Sequence, residues 1–327
     1  MSGQSTVRID MREFQPSEYG RLAELYGTIY PDYDRSLSEW RFWDESLDRS
    51  KYLRKRYSCF DRESNQIVGF EEVGHAPWMF HPRKFWLDIW VDPGYQGKGV
   101  GRSIYDHARQ HLDKLGAVTV WAATKEDMPV SLAFLAKRGF KETMRAWESR
   151  LSPAEVDLSP FFHYSQKAAK EGIVIAPLAR EKIEDPECYR KLHELVQTVS
   201  VDMPSTEPYT PISYEQWLTL EMKNPGLAPE AYMIAKDGPR YVGLSTVWRS
   251  EKEPHGLYQG LTGVLREYRG RGMAYAMKLK VIEFARQNGY DLIKTWNAST
   301  NAPMLAVNIK LGFKRQVGWI TFGKNLA

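Results

Sequence analysis

Apolar and polar positions along this chain fall into two successive rounds of the same element order. In the first round Val7-Arg8-Ile9 reads as a short strand, and Leu22, Leu25 and Tyr26 recur at helical spacing within residues 16–26. Tyr30-Pro31-Asp32-Tyr33 is a turn or loop. Ser36 follows as a helix N-cap, with Glu39 completing a capping box ahead of Trp40. Residues 57–60 and 67–73 pattern as a strand pair about a polar turn, and 84–91 as a further strand. Then come a helix over 99–115, a strand over 118–122, a helix over 129–138 and a strand over 140–150. The second round gives a strand at 173–175, a helix over 188–199, and Ser213 to Trp217 echoing Ser36 to Trp40. Strands at 232–236 and 241–248 flank the turn Asp237-Gly238-Pro239. A helix over 272–287, a strand at 291–296, a helix over 303–311 and a strand over 313–322 close the chain. The alternation of elements is that of an α/β protein. The stretch between the rounds, with Pro153, Pro160 and the polar Ser165-Gln166-Lys167, reads as a linker. The expected division is therefore 1–155, a linker at 156–172, and 173–327.

The two rounds share a glycine-rich turn at the same place. The first copy is Gln96-Gly97-Lys98-Gly99-Val100-Gly101, the second Arg269-Gly270-Arg271-Gly272-Met273-Ala274. Gly97 and Gly270 are 173 residues apart, as are Gly139 and Gly312 of the later Gly-Phe-Lys triplets. Matched landmarks at one offset indicate a duplicated domain. A glycine turn opening a helix exposes several backbone N–H groups at the positive end of the helix dipole, a cradle for an anion such as pyrophosphate. Lys98 and Arg102 in the first copy, and Arg269 and Arg271 in the second, supply countercharge. The dinucleotide fingerprint requires a third glycine where Arg102 and Tyr275 stand, and a Walker loop requires Ser or Thr where Gly99 follows Lys98. What remains is a Gln/Arg-x-x-Gly-x-Gly/Ala turn after a strand and before a helix.

Composition narrows the setting. The chain of 327 residues carries a net charge of +4, too small to argue for nucleic acid. No run of 18 apolar residues exists, so no membrane partner is expected, and Met1 to Gln4 lack a signal pattern. With Cys59 and Cys188 alone, neither a disulfide scaffold nor a cysteine zinc site is expected, and a cytoplasmic location follows as the expectation.

Val91-Asp92-Pro93-Gly94-Tyr95-Gln96-Gly97-Lys98-Gly99-Val100-Gly101 resembles the acetyl-CoA-binding motif of the GNAT superfamily of N-acetyltransferases, and 263–272 resembles a second copy. The resemblance covers both rounds and is to tandem-repeat GNAT proteins, with a two-domain arrangement like that of mycothiol synthase. It implies two acyl-CoA N-acyltransferase domains, each a mixed sheet splayed after its fourth strand, with acetyl-CoA as cosubstrate in the splay. It further implies CoA contacts at Gln96, Gly97, Lys98, Gly99, Gly101 and Arg102, and at Arg269, Gly270, Arg271, Gly272 and Ala274. Backbone N–H groups near Ile89 and Val91, or Thr262 and Val264, would polarise the thioester carbonyl.

Departures from the family are concentrated in the catalytic positions. The tyrosine that often protonates the departing thiolate is replaced by Leu135 and Asn308. The family asparagine survives as Asn301 but is Met128 in the first round. A frequent base position holds Phe85 and Tyr258, of which Tyr258 alone can exchange a proton. Tyr258, Asn301 and Asn308 are thus the candidate catalytic residues, and the second domain the expected catalytic one. Its rival is the first domain, whose cradle matches the family more closely. Asp88 could act as a base through water, although a solvent-facing acid between Trp86 and Trp90 is the expectation. Glu71 and Glu72 are adjacent on a strand, so one faces the cleft and the other solvent. Thr295 and Asn297 line a thioester site or satisfy backbone at the splay. Asp202 and Glu207, in a loop placed to cover the acceptor, bind an ammonium or remain solvated. His107 and His111 are spaced for a metal pair, but no acid–histidine motif accompanies them, and a solvated helix face is expected, with no metal. The resulting expectation is acetyl transfer to a primary amine of a small molecule by direct attack in a ternary complex. A non-catalytic acyl-CoA sensor and a protein or peptide N-acetyltransferase are the alternatives.

Overall fold

A computed structural model describes residues 7–326; Met1 to Gln4, read above for a signal pattern, lie outside the described residues. Two compact units emerge. One comprises the chain through Thr124, Met128–Thr143 and the C-terminal stretch from Thr321; the other comprises Lys125–Asp127 and Met144–Ile320.

The first unit runs β1 (Ile9–Glu13), α1 (Tyr19–Ile29), α2 (Leu37–Glu45), β2 (Arg54–Asp61), β3 (Ile67–Gly74), β4 (Lys84–Val91), α3 (Val100–Lys114), β5 (Thr119–Lys125) and α4 (Pro129–Ala136), followed by the start of β6 (Lys141–Leu151). Strands β1 to β4 pair antiparallel in sequence order. The expected capping box forms at α2: Ser36 Oγ accepts from Glu39 N at 3.2 Å, and Glu39 Oε2 accepts from Ser36 N at 2.7 Å. Strand β4 buries Phe85 and Leu87 against α3, with Tyr105, Ala108 and Leu112. Its other face places Trp90 among Leu22, Leu25, Tyr26 and Trp40 of α1 and α2. β4 and β5 pair in parallel only from Lys84 to Trp86 with Thr119 to Trp121, although β4 continues to Val91. The sheet therefore splays where the family resemblance implied.

The second unit continues with α5 (Phe162–Lys170), β7 (Ile173–Pro177), α6 (Leu178–Glu184), α7 (Cys188–Ser200), α8 (Tyr214–Trp217), β8 (Met233–Asp237), β9 (Arg240–Ser250), β10 (Glu253–Val264), α9 (Met273–Gln287), β11 (Leu292–Ala298), α10 (Ala302–Lys310) and β12 (Lys314–Asn325). Parallel pairing of β10 with β11 stops at Gln259 and Thr295, giving a second splay. The C-terminal end of β6 pairs antiparallel with β11, Ile293 opposite Leu151 through Ala298 opposite Ala146. β6 and β12 each give one end to either unit. The stretch expected as linker contains α5, whose Ala168 is buried and which packs on α9. Pro160 does not prevent this, because it stands in the turn before α5, where a missing N–H costs no helical bond.

Among the described residues no helix is long and apolar enough to cross a membrane. Nor does any group of three or more His, Cys, Asp or Glu among them suit a metal ion.

Candidate active site

The two glycine turns fold alike. Gly99 caps α3 and Gly272 caps α9, each at φ 87°. Gly97 at 76° and Gly270 at 74° precede them. Side chains are strained in this left-handed region, so both turns require glycine. Each turn is tied to the end of its strand. Gln96 Nε2 donates to Val91 O at 3.2 Å, and Arg269 Nε donates to Val264 O at 3.0 Å. The first-turn N–H groups of each 15-residue helix are left without intrahelical partners, as an anion cradle requires.

What stands over the turns differs. In the first unit a cavity of about 530 Å³ opens on Gln96, Gly97, Gly99, Gly101 and Arg102. Its walls are the parted strands, Leu87 to Val91 including Ile89, and Ala122 to Thr124; Tyr30 and Asp88 also line it. Lys98 is exposed, with its ammonium 5.2 Å from the Tyr95 ring and no ion pair among the described residues. Arg102 is 80% exposed and its carboxylate neighbour, Asp106, is 3.7 Å away.

Asp88 lies on the α1–α2 face of β4, two residues from Trp90. Among the described residues its carboxylate makes no ion pair and accepts no hydrogen bond. Its cross-strand partner Glu72 is engaged by Arg54 and Arg56, which also bind Asp44. Tyr19 Oη donates to the same Asp44 at 2.6 Å. Asp88 is partly buried in the cavity wall. That desolvation, with the charge of Glu72, pushes its carboxyl up to about 7 against the pull of Arg35, Arg54 and Arg56. Burial and the Asp88 charge likewise raise the Tyr30 phenol, which stays protonated at neutral pH.

In the second unit the linker helix occupies the corresponding space. A Cβ at Gly272 would collide with the Tyr164 ring. That ring stacks on Tyr275 with centroids 4.4 Å apart and planes at 7°, and its hydroxyl accepts from Lys310 Nζ at 3.3 Å. The cradle cations are engaged as well. Asp202 accepts from Arg266 Nε at 3.0 Å and from Arg269 at 2.5 Å, and these guanidinium groups hold its carboxyl well below the usual range. Arg271 donates to Glu267 O at 2.9 Å and lies 3.8 Å from Glu171. Ala274 lies in the first turn of α9 beneath this arrangement.

The model of the acetyltransferase (GNAT) family matches residues 19–140 and again 192–313. The chain belongs to the GNAT family. It is a tandem GNAT acetyltransferase, a transferase whose family draws on acyl-CoA cosubstrates. A tandem GNAT protein from the clavulanic acid biosynthesis pathway superposes with a TM-score of 0.74, at 18% identity, over 98% of this chain and 99% of that one. A GCN5-related N-acetyltransferase from Sphaerobacter thermophilus gives 0.70 at 17% identity, over 97% and 95%. In sequence, the ribosomal protein bS18-alanine N-acetyltransferase of Escherichia coli K12 is 34% identical over 56 residues. That match spans 17% of this chain and 38% of the relative's length.

The GNAT catalytic candidates from sequence are all engaged internally. Tyr258 Oη donates to Glu253 at 2.5 Å, and Glu253 also pairs with the buried Lys294 at 2.7 Å. Asn301 caps α10, accepting from Met304 N at 3.3 Å. Asn308 is buried and donates to Asn297 at 2.6 Å. Thr262 shares a hydrogen bond with Ser245 at 2.9 Å, which continues through Gln259 to the buried Lys278; Val264 ends β10 beside them. Thr295 is buried.

Three expectations change. Asp88 faces a cavity rather than bulk solvent, since β4 has left β5 before reaching it. Of Glu71 and Glu72 neither is a solvated acid: Glu71 is fully buried, accepting from His107 Nδ1 at 2.6 Å when that nitrogen is protonated, and Glu72 is held by Arg54 and Arg56. His107 and His111 pack edge-on against Tyr57 instead of forming a solvated face. Sequence reasoning passed over Tyr30, whose one available signal was its place at the end of α1, beside the loop that precedes α2.

Proposed function

We propose that the first unit is the catalytic one, transferring acetyl from acetyl-CoA to a primary amine of a small molecule, with Asp88 as general base. The observation that carries this is an unpartnered carboxylate, poised near neutrality, in a cavity continuous with the open cradle. The residues present suit the cosubstrate. Helix N-terminal amides with Lys98 and Arg102 fit a pyrophosphate, and the β4 edge beyond Trp86 has no β5 partner, leaving backbone for amide pairing. Acetyl-CoA supplies a thioester, an acyl group on a good leaving group.

The chain's residues handle position and protons. Asp88 takes one proton from the acceptor's ammonium. The freed nitrogen lone pair forms the C–N bond to the thioester carbonyl carbon, and the C–S bond breaks. The sulfur leaves as thiolate and takes up a proton. Of the two protons lost from the ammonium, one ends on the thiol and one in solvent. Tyr30, protonated in the same cavity, is suited to donate, a role that neither Leu135 nor Asn308 can fill.

The second unit serves as a closed copy. Tyr164 and Asp202 occupy its cradle, and at the shared offset Leu261 stands where Asp88 does. Preference for the second unit from sequence rested on Asn301, which here caps a helix.

The test is CoA release with a panel of amines. Asp88→Asn lowers kcat/KM by roughly 10²–10⁴, the usual contribution of a general base. A base is active when deprotonated, so wild-type kcat/KM rises with pH through about 7, and the variant lacks that limb. An unchanged profile in Asp88→Asn places the base elsewhere. Binding of acetyl-CoA with no CoA released by any acceptor favours the sensor instead.

A further inference from the structure

Three guanidinium groups act on Asp88, and two are already committed. Arg54 and Arg56 both lie between Asp44 and Glu72. Arg35 is different. Among the described residues its side chain makes no ion pair and no hydrogen bond. Its guanidinium rests over the rings of Tyr26 and Trp40, 5.2 Å from each centroid. Those rings meet Trp90 edge-on at 5.9 and 6.0 Å, and Trp90 shares a face of β4 with Asp88. Tyr26 also packs 5.1 Å from Tyr30, a wall of the cavity. Arg35 is therefore held by aromatic faces next to two cavity walls, Tyr30 and Trp90, and close enough for its charge to act on Asp88. These stabilise its charge while taking none of its five N–H donors. A half-buried guanidinium with all its donors unused is a site built for an anion.

We propose that the acceptor is a primary amine bearing a carboxylate, an amino acid in the simplest case, with Arg35 receiving the carboxylate and Asp88 the proton of the amine. In such a zwitterion the two charges are a few bonds apart; Asp88 in the cavity lining and Arg35 beside its aromatic wall are one unpaired group of each sign among the described residues. The inference rests on acetyl transfer in the first unit.

The experiment pairs phenylalanine, leucine and lysine with phenylalaninamide, leucinamide and lysinamide, and adds phosphoethanolamine. CoA release gives kcat/KM, and calorimetry on protein saturated with CoA, which cannot transfer, gives binding alone. Wild type prefers at least one amino acid over its amide by about 30-fold or more, the lower bound for losing one partner of a buried charge pair. Arg35→Met collapses that ratio towards unity through KM, and Arg35→Lys restores part of it. Equal use of acids and amides, a ratio unchanged in Arg35→Met, no binding of any amino acid, or preference for phosphoethanolamine each overturns the inference. Equal use that still depends on Asp88 leaves acetyl transfer standing while this inference fails. Arg35-dependent binding of an amino acid without CoA release supports the carboxylate site and sinks acetyl transfer.

Discussion

At the scale of single residues the decisive group is Asp88, and its chemistry is a consequence of where β4 leaves β5. A carboxyl raised from its unfolded value of about 3.9 to about 7 binds its proton more tightly in the fold than in the unfolded chain. Its contribution to stability is therefore fully present below about pH 4 and is lost as pH rises through about 7. Asp88→Asn, which keeps the shape and removes the charge, should melt higher than wild type at pH 8 and close to it only near pH 4. A variant less stable than wild type at pH 8 would show that the carboxylate has partners that stabilise its charged form. None of this was legible in the sequence, where Asp88 between two tryptophans on an alternating strand resembles any outward-facing acid. Tyr258 poses the opposite problem. It fits a family position, but whether its hydroxyl meets a substrate or Glu253 is decided by a residue five places away on the same strand. Side-chain pairing of that kind leaves no periodic trace.

At the scale of elements the glycine turns were legible because backbone geometry dictates them. Two left-handed residues in three, before a helix, demand the Gly-x-Gly pattern, and both copies adopt it as expected. The capping box at Ser36 was readable for a similar reason, whereas the two splays were implied by the family resemblance alone. Helix α5 was not. Two prolines and a polar run look like a linker, and α5 owes its place to packing on α9 rather than to its own pattern. Under the proposed function α5 is what closes the second cradle, because it carries Tyr164 onto Gly272. Gly99→Glu brings an anionic side chain to the first cradle and a strained backbone with it, so acetyl-CoA should no longer raise the melting temperature of that variant. Wild type at ligand 100 times its dissociation constant should gain about 2.7 kcal/mol per site. A Gly99→Glu protein that keeps the full thermal shift would locate binding in the second unit.

At the scale of the whole molecule, one chain holds two copies of a fold that have diverged in opposite directions. The first keeps exposed cations at its cradle, a cavity and, among the described residues, an unpaired carboxylate. The second has turned its polar groups on one another, as in Asn297 with Asn308 and in the line from Lys278 through Gln259 and Ser245 to Thr262. The duplication itself was plain from the shared offset of its landmarks. Which copy stayed open was not, because Tyr164 and Asp202 reach the second cradle from segments that lie 108 and 70 residues before Gly272. The measurement that bears most directly on this account is the stoichiometry of acetyl-CoA binding to the wild-type chain by isothermal titration calorimetry. One equivalent per chain is the predicted result; two equivalents would contradict a closed second cradle.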